Sequence, residues 1–292
     1  MNKNLKILVT GVKGQLGFDC VRELKTRGYT NIIETDIDEL DITNQQAVNN
    51  FFEIHKPDIV MHNAAWTAVD KAEEVPDLVY KVNALGPKYL AEAANRAGAK
   101  MVYISTDYVF EGTGTRFYET NDPKKGLSVY GKTKSQGEDF VKAALDKYFI
   151  VRITWAFGIN GNNFVKTMLK LADMGKDTIS VVNDQVGSPT YTKDLARLLC
   201  DMIETEKYGI YHGVNNGTCS CAELAEYIFE VAKTGTKVIK VTTEEYLKMV
   251  PNQARRPLNS RLSTISIEKA GFEPMPMWKD AVKRYIVEEL GR

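Results

Sequence analysis

The chain has 292 residues, with 38 lysines and arginines balanced by 38 aspartates and glutamates. It is long enough to bury a large core, and it carries no net field toward nucleic acid or an acidic membrane surface, so an anionic ligand needs local basic groups. The start from Met1 to Lys6 is polar and lacks an apolar stretch of signal-peptide or membrane-span length, so a cytoplasmic protein with no membrane partner is expected.

In chain order, short β-branched runs alternate with longer segments of helical period. Ile7-Leu8-Val9 precedes a helix from Leu16 to Arg27, Ile32-Ile33 precedes Gln45 to His55, and Ile59-Val60-Met61 precedes Val79 to Ala97. Met101 to Ile104 reads as a fourth strand, Gly131 to Leu145 as a helix, and Phe149 to Ile153 as a fifth strand. This is the alternation of a Rossmann-type, doubly wound α/β fold with a parallel sheet. Thr43 with Gln46 fits a capping box, Gly28 and Gly98 stand where helices should stop, and Pro57 blocks a helix before the third strand.

Beyond Thr154 the rhythm loosens, with a strand candidate at Ile179 to Val182 and helices near Lys193 to Glu204 and Cys221 to Lys233. The expected organisation is a dinucleotide-binding domain over 1–150, with a return segment near 191–214, and a smaller α/β substrate domain over 151–190 and 215–292. The apolar stretch Tyr208 to Val214 suits that return. Cys20, Cys200, Cys219 and Cys221 read as free structural thiols, because Cys219-Ser220-Cys221 has the wrong spacing for a zinc or redox pair. With His55, His62 and His212 scattered, no metal ligand set is expected.

Ligands of a doubly wound sheet bind beyond the carboxyl ends of its strands. Gly11, Asp36, Asn63-Ala64-Ala65, Ser105-Thr106-Asp107 and Thr154-Trp155 all fall there. The first is part of Thr10-Gly11-Val12-Lys13-Gly14-Gln15-Leu16-Gly17, which follows a strand and opens a helix. Missing side chains let a pyrophosphate reach backbone N–H groups at the helix start, and the last glycine lets helix and sheet pack closely. Asp36 closes the second strand where a carboxylate would meet the adenosine ribose. Its charge repels a 2′-phosphate, so NADH is favoured, while Lys13 could offset the repulsion and admit NADPH. The bland alternative makes Asp36 a solvated turn residue.

Tyr130 and Lys134 lie four residues apart, on one face of the helix they begin, between the fourth and fifth strands. Reducing a ketone needs a proton donor near neutral pH. A free phenol has a pKa of about 10, and lowering it to near 7 means stabilising phenolate by roughly 4 kcal/mol, which a neighbouring ammonium could supply. The expectation is that Lys134 lowers the Tyr130 pKa, Tyr130 protonates the carbonyl oxygen and Thr106 polarises it. The alternative is a half-buried tyrosine beside a surface lysine.

The glycine loop, Asn63-Ala64-Ala65 with Thr67-Ala68-Val69-Asp70-Lys71-Ala72-Glu73, Val82-Asn83-Ala84, Ser105 to Phe110 and the Tyr130/Lys134 pair together resemble the extended short-chain dehydrogenase/reductase family. Among these the chain is similar to the dTDP-4-dehydrorhamnose reductases. The likeness runs on through Asn183 to Thr190 and Arg256 to Leu262.

This resemblance implies a dTDP-linked keto-sugar substrate and a cofactor cleft shaped by Gly11, Gly14, Gln15, Leu16, Gly17, Asp36, Asp41, Ile42, Ala64, Ala65, Thr67 and Asn83 beside Tyr130 and Lys134. It places Asp107, Tyr108 and Trp155 toward the sugar, has Gln185 to Thr190 position the nucleotide-sugar or a helix start, and makes Arg256 a diphosphate partner. Taken alone, Asn83 could bridge backbone groups, Trp155 could be a core aromatic, and Arg255 and Arg256 could be solvated charges. Some members of the family are dimers held around Mg²⁺ by acidic residues, and Asp19 stands where one of those glutamates would be. Its shorter side chain reads instead as a solvated helix residue, which leaves Mg²⁺ and a homodimer open.

Related 4,6-dehydratases carry Asp-Glu after the threonine, whereas Tyr108 stands here and elimination lacks its base. An epimerase of the same fold, or a non-catalytic cofactor-binding subunit like the regulatory partner of methionine adenosyltransferase, is the competing reading.

Overall fold

The computed structural model describes residues 2–250 and 253–292; Met1, which heads the polar start, lies outside them. A six-stranded parallel sheet is formed by β1 (Ile7–Thr10), β2 (Ile32–Thr35), β3 (Ile59–His62), β4 (Lys100–Thr106), β5 (Tyr148–Ile153) and a last strand, Gly209–His212. Across the sheet the order is Gly209–His212, β5, β4, β3, β1, β2. The order reverses between β1 and β3, which opens a crevice at their carboxyl ends.

Both faces of this sheet are covered, and successive side chains divide between them with a period of two. Ile7, Val9, Ile59, Met61, Phe149 and Val151 pack on one side with Leu24 of α1 (Gln15–Thr26) and Leu195, Leu198 and Leu199 of the helix Thr192–Ile203. Leu8, Val60, Met101, Tyr103 and Ile150 pack on the other. There they meet Phe52 of α2 (Gln45–His55), and then, beyond the short α3 (Val69–Ala72) and α4 (Pro76–Tyr80), Leu90 of α5 (Gly86–Ala97) and Val141 of α6 (Val129–Ala144).

A separate core lies in the later part of the chain. It is built by the helices Phe164–Asp173, Cys221–Ala232 and Trp278–Arg284 around Phe157, Tyr191, Phe229 and Tyr285. Beside it Thr178–Val182 pairs in parallel with Lys237–Val241, a strand that its two lysines, three positions apart, and its modest burial hide from a hydrophobic pattern.

Local corrections have identifiable causes. Asn44, not Thr43, caps α2, accepting from the Ala47 N–H at 3.1 Å, while Thr43 donates to Asp41. The segment expected as one helix from Val79 to Ala97 starts at Pro76 and is interrupted by a π-helical turn over Lys81–Leu85. Strand β4 runs two residues past Ile104, so Ser105 and Thr106 are its last residues rather than the first two beyond it. Among the described residues no helix is long and apolar enough to cross a membrane.

Candidate active site

Gly11 turns out of β1 at φ +70°, where a Cβ would lie 2.8 Å from the backbone nitrogen of Ala64. A Cβ on Gly17 would come within 2.1 Å of the Gly11 carbonyl oxygen, so glycine at 17 lets α1 close onto the turn. Gly14 differs. It is exposed at the N-cap of α1, no side chain caps the helix, and a Cβ there would meet only the Gly11 carbonyl. The result is an open cradle of backbone at a helix N-terminus, which fits a dinucleotide pyrophosphate.

The rest of the cleft is held from below. Thr10 Oγ1 accepts from the Ala64 N–H at 3.3 Å, and the buried Asn83 brackets Trp66 with bonds of 2.8 and 3.0 Å to its N–H and carbonyl. That fixes the turn carrying Ala64, Ala65 and the exposed Thr67. Asn83 sits in the π-helical turn, whose extra residue re-aims its amide toward the loop.

Leu16 and Ile42 are buried, in the cores on the two faces of the main sheet. Gln15 turns away from the cradle, its Oε1 accepting from Gly158 N–H and Asn163 Nδ2 at 2.8 and 2.9 Å. Asp36 accepts from the N–H groups of Lys13 and Ile37, and Lys13 Nζ rests on Asp38 at 2.5 Å. Asp41 accepts from Thr43 and organises the entry to α2.

Thr106, Tyr130 and Lys134 come together at the end of β4. Tyr130 lies near enough to the Thr106 hydroxyl for that group to favour its phenolate, and Lys134 Nζ donates to the Ile104 carbonyl at 2.6 Å and lies 4.1 Å from the centre of the Tyr103 ring. The start of α6 is fixed twice, by Ser128 Oγ accepting from the Gly131 N–H and by Glu73 Oε1 accepting from the Val129 N–H at 2.8 Å. A Cβ on Gly131 would sit 2.2 Å from the Tyr108 carbonyl oxygen, so glycine there brings α6 against the turn that carries Asp107 and Tyr108.

The electrostatics differ from the expected ammonium-lowered phenol. Burial pushes the Tyr130 pKa up to about 12, against a lowering from the Thr106 hydroxyl. Burial also pulls the Lys134 amine down to about 7, with Glu138 working to raise it. Desolvation disfavours both charged forms. At neutral pH Tyr130 therefore carries its proton, the form a general acid requires.

Asp107 is buried, and burial raises its carboxyl to about 6 against hydrogen bonds from Ser260 and Thr106. Tyr108 packs edge-on against Tyr130 with ring centres 5.4 Å apart. Trp155 sits at φ +46°, a left-handed conformation that costs a non-glycine residue roughly 1–3 kcal/mol, and its ring lies against Gly187. Gln185 is buried and donates to Thr243 Oγ1 at 3.1 Å. Arg256 is not a free solvated charge, because it pairs with Asp70 at 2.9 Å and stands close enough to Tyr108 and Cys221 to lower both their pKa values against burial.

Asp19 is not solvated either. It is 2% exposed, accepts from Thr192 Oγ1 at 2.5 Å and pairs with Arg22, and burial raises its pKa. Helical period alone does not reveal that the helix Thr192–Ile203 covers this position. Among the described residues no three His, Cys, Asp or Glu side chains gather as a metal site, and the four cysteines are free thiols.

Beneath Lys134, one helical turn further along α6, lies a buried ion pair that sequence reasoning missed. Glu138 accepts from Arg152 Nε and Nη2 at 2.8 Å each and from Ser105 Oγ at 2.6 Å. Both partners are at most 2% exposed. The signal available was an acidic residue four positions after Lys134 and an arginine inside an otherwise apolar strand, two buried charges that need each other.

The family model described as RmlD substrate binding domain matches residues 5–290. The chain is 43% identical to the spore coat polysaccharide biosynthesis protein SpsK of Bacillus subtilis, covering 97% of each. It is 39% identical to a dTDP-4-dehydrorhamnose reductase of Aggregatibacter actinomycetemcomitans, over 95% of this chain and 97% of the other. Among solved structures, a dTDP-4-dehydrorhamnose reductase of Clostridium acetobutylicum superposes with a TM-score of 0.94 at 46% identity, covering 99% of this chain and 100% of that one. One from Bacillus anthracis, solved in complex with NADP, superposes with a TM-score of 0.92 at 41% identity over 98% and 99%.

Proposed function

The chain belongs to the family of the RmlD substrate binding domain, and from that premise we propose that it is a reductase acting on the C4 ketone of dTDP-4-dehydro-L-rhamnose. The product is dTDP-L-rhamnose, for rhamnose-containing polysaccharide. The carrying observation is a buried, protonated Tyr130 phenol near the Thr106 hydroxyl and one helical turn from Lys134, beside a glycine cradle shaped for a dinucleotide.

Bound in that cradle, a reduced nicotinamide adenine dinucleotide supplies hydride to the carbonyl carbon. Tyr130 gives its phenolic proton to the carbonyl oxygen as negative charge develops there. Thr106 turns its single hydroxyl hydrogen from Asp107 Oδ1 to the same oxygen. Lys134, with a pKa of about 7, holds a proton at Nζ that can replace the one Tyr130 gives up.

Residues 1–150 with 191–214 form the cofactor domain in this reading, and 151–190 with 215–292 hold the nucleotide-sugar. Asp107, Tyr108 and Trp155 take the sugar, Gln185 helps to position the nucleotide-sugar, and Arg256 takes the diphosphate through its planar fork. Asp36, with Asp38 and Glu39 near it, favours NADH. Lys13 supports use of NADPH once it leaves Asp38, and the relative solved with NADP supports the same.

The test is direct. Given the dTDP-linked 4-keto sugar, the purified protein should oxidise one NADH or NADPH per sugar reduced. Sugar conversion with no net oxidation would point to an epimerase, and cofactor binding with neither would point to a regulatory subunit.

A further inference from the structure

Arg256 lies in a stretch, 253–257, with neither helix nor strand to hold it. What holds it is a carboxylate from the other side of the cleft. Asp70, in α3 after β3, accepts from the Ala254 N–H through Oδ1 at 2.9 Å and from Arg256 Nη2 through Oδ2 at 2.9 Å. Gln253 accepts from Arg256 Nη1 at 2.7 Å, and the far end of the strap is fixed where the N–H groups of Leu258 and Asn259 both donate to the Gly112 carbonyl. Among the described residues this spends two of the five guanidinium donors and leaves three.

The pair is half-exposed, 29% for Arg256 and 44% for Asp70, so solvent screening leaves it little to contribute to stability. Its effect is geometric. Asp70 stands on an anchored base, because the loop before it is bracketed by Asn83 and Glu73 ties the end of α3 to the first residue of α6.

We propose that Asp70 is a positioning residue for the nucleotide-sugar: its two carboxylate oxygens pin the strap 253–256 across the cleft and aim the free donors of Arg256 at the diphosphate. The proposal rests on Arg256 being the diphosphate partner. Asp70 belongs to the cofactor side of the molecule by position and to the substrate by action, and so it governs substrate capture while leaving the chemistry at Tyr130 untouched.

The test uses the full chain as wild type, Asp70→Ala, Asp70→Asn, Arg256→Gln and the double variant Asp70→Ala/Arg256→Gln. The readouts are KM for the dTDP-sugar, kcat, and the dissociation constants of dTDP and NADH. Asp70→Ala should raise KM and the dTDP dissociation constant about tenfold, with kcat within about twofold and NADH binding unchanged. Asp70→Asn keeps an acceptor for the Ala254 N–H and should recover part of the loss. The double variant should bind dTDP no worse than Arg256→Gln alone, because the two residues act through one contact.

If Arg256→Gln weakens dTDP and Asp70→Ala does not, Asp70 has no positioning role and the reading of Arg256 stands. If Arg256→Gln binds dTDP like wild type, that reading fails and takes the proposal with it. An equal loss of NADH affinity in Asp70→Ala would mean general damage to the loop and would also overturn the proposal.

Discussion

At the scale of single residues, the cleft is governed by the cost of burying charge. The Tyr130 phenol stands at about 12 and the Lys134 amine at about 7, both moved by burial toward their neutral forms. Tyr130→Phe should cut kcat by roughly 10²-fold or more, the usual worth of a positioned acid, while the NADH dissociation constant stays within about twofold. Full turnover in that variant would remove Tyr130 from the mechanism.

Thr106, Tyr130 and Lys134 could be picked out of the sequence because spacing and strand position mark them. The pKa directions could not, since desolvation depends on everything packed around a group. Asp70 and Glu73 were visible only as members of a motif. Their partners, Ala254 and Arg256 for one and Val129 for the other, lie far along the chain, and only folding brings them near.

At the scale of elements, period and punctuation located the strands of the main sheet and the long helices to within a few residues. The failures came where a local rule met a tertiary demand. The π-helical turn at Lys81–Leu85 leaves no trace in a hydrophobic pattern, because one extra residue shifts the period only once; the structure uses that residue to turn Asn83 onto Trp66. Close packing at the first helix is the sharper constraint. Gly17→Ala puts a methyl group 2.1 Å from the Gly11 carbonyl, and rigid backbone cannot give way as a side chain would. The variant should lose dinucleotide binding by at least about tenfold in a fluorescence titration, and should melt several degrees lower because α1 is pushed off β1. An unchanged affinity would show that the turn can reshape.

At the scale of the whole molecule, two buried histidines set the acid limit. Burial lowers both His62 and His212 to about 3 from an ordinary 6.5, and their Nε2 atoms have no hydrogen-bond partner among the described residues. The unfolded chain therefore binds more protons than the folded one between these values. The stability contributed by the neutral rings is whole above pH 6.5 and is lost as pH falls toward 3. Asp107 works the other way between about 6 and its ordinary 3.8, since its folded pKa is raised. Asp19, also raised by burial, joins Asp107, while Glu138, Glu204 and Glu289, all lowered in the fold, add to the loss on the histidines' side, so the urea midpoint should fall steadily below pH 6.5. A flat profile from pH 7 to 5 would mean that the histidines are hydrated or paired in solution.

The last strand of the sheet, Gly209–His212, comes 56 residues after the end of β5, the strand it pairs with. During synthesis at about 5–20 residues per second, β5 must wait roughly 3–11 s for that neighbour. Through that interval the ribosome-bound chain presents an unpaired, apolar ribbon edge, the template on which aggregates start. Production of this protein should therefore be most vulnerable, and most dependent on chaperones, between the emergence of residue 153 and that of residue 212.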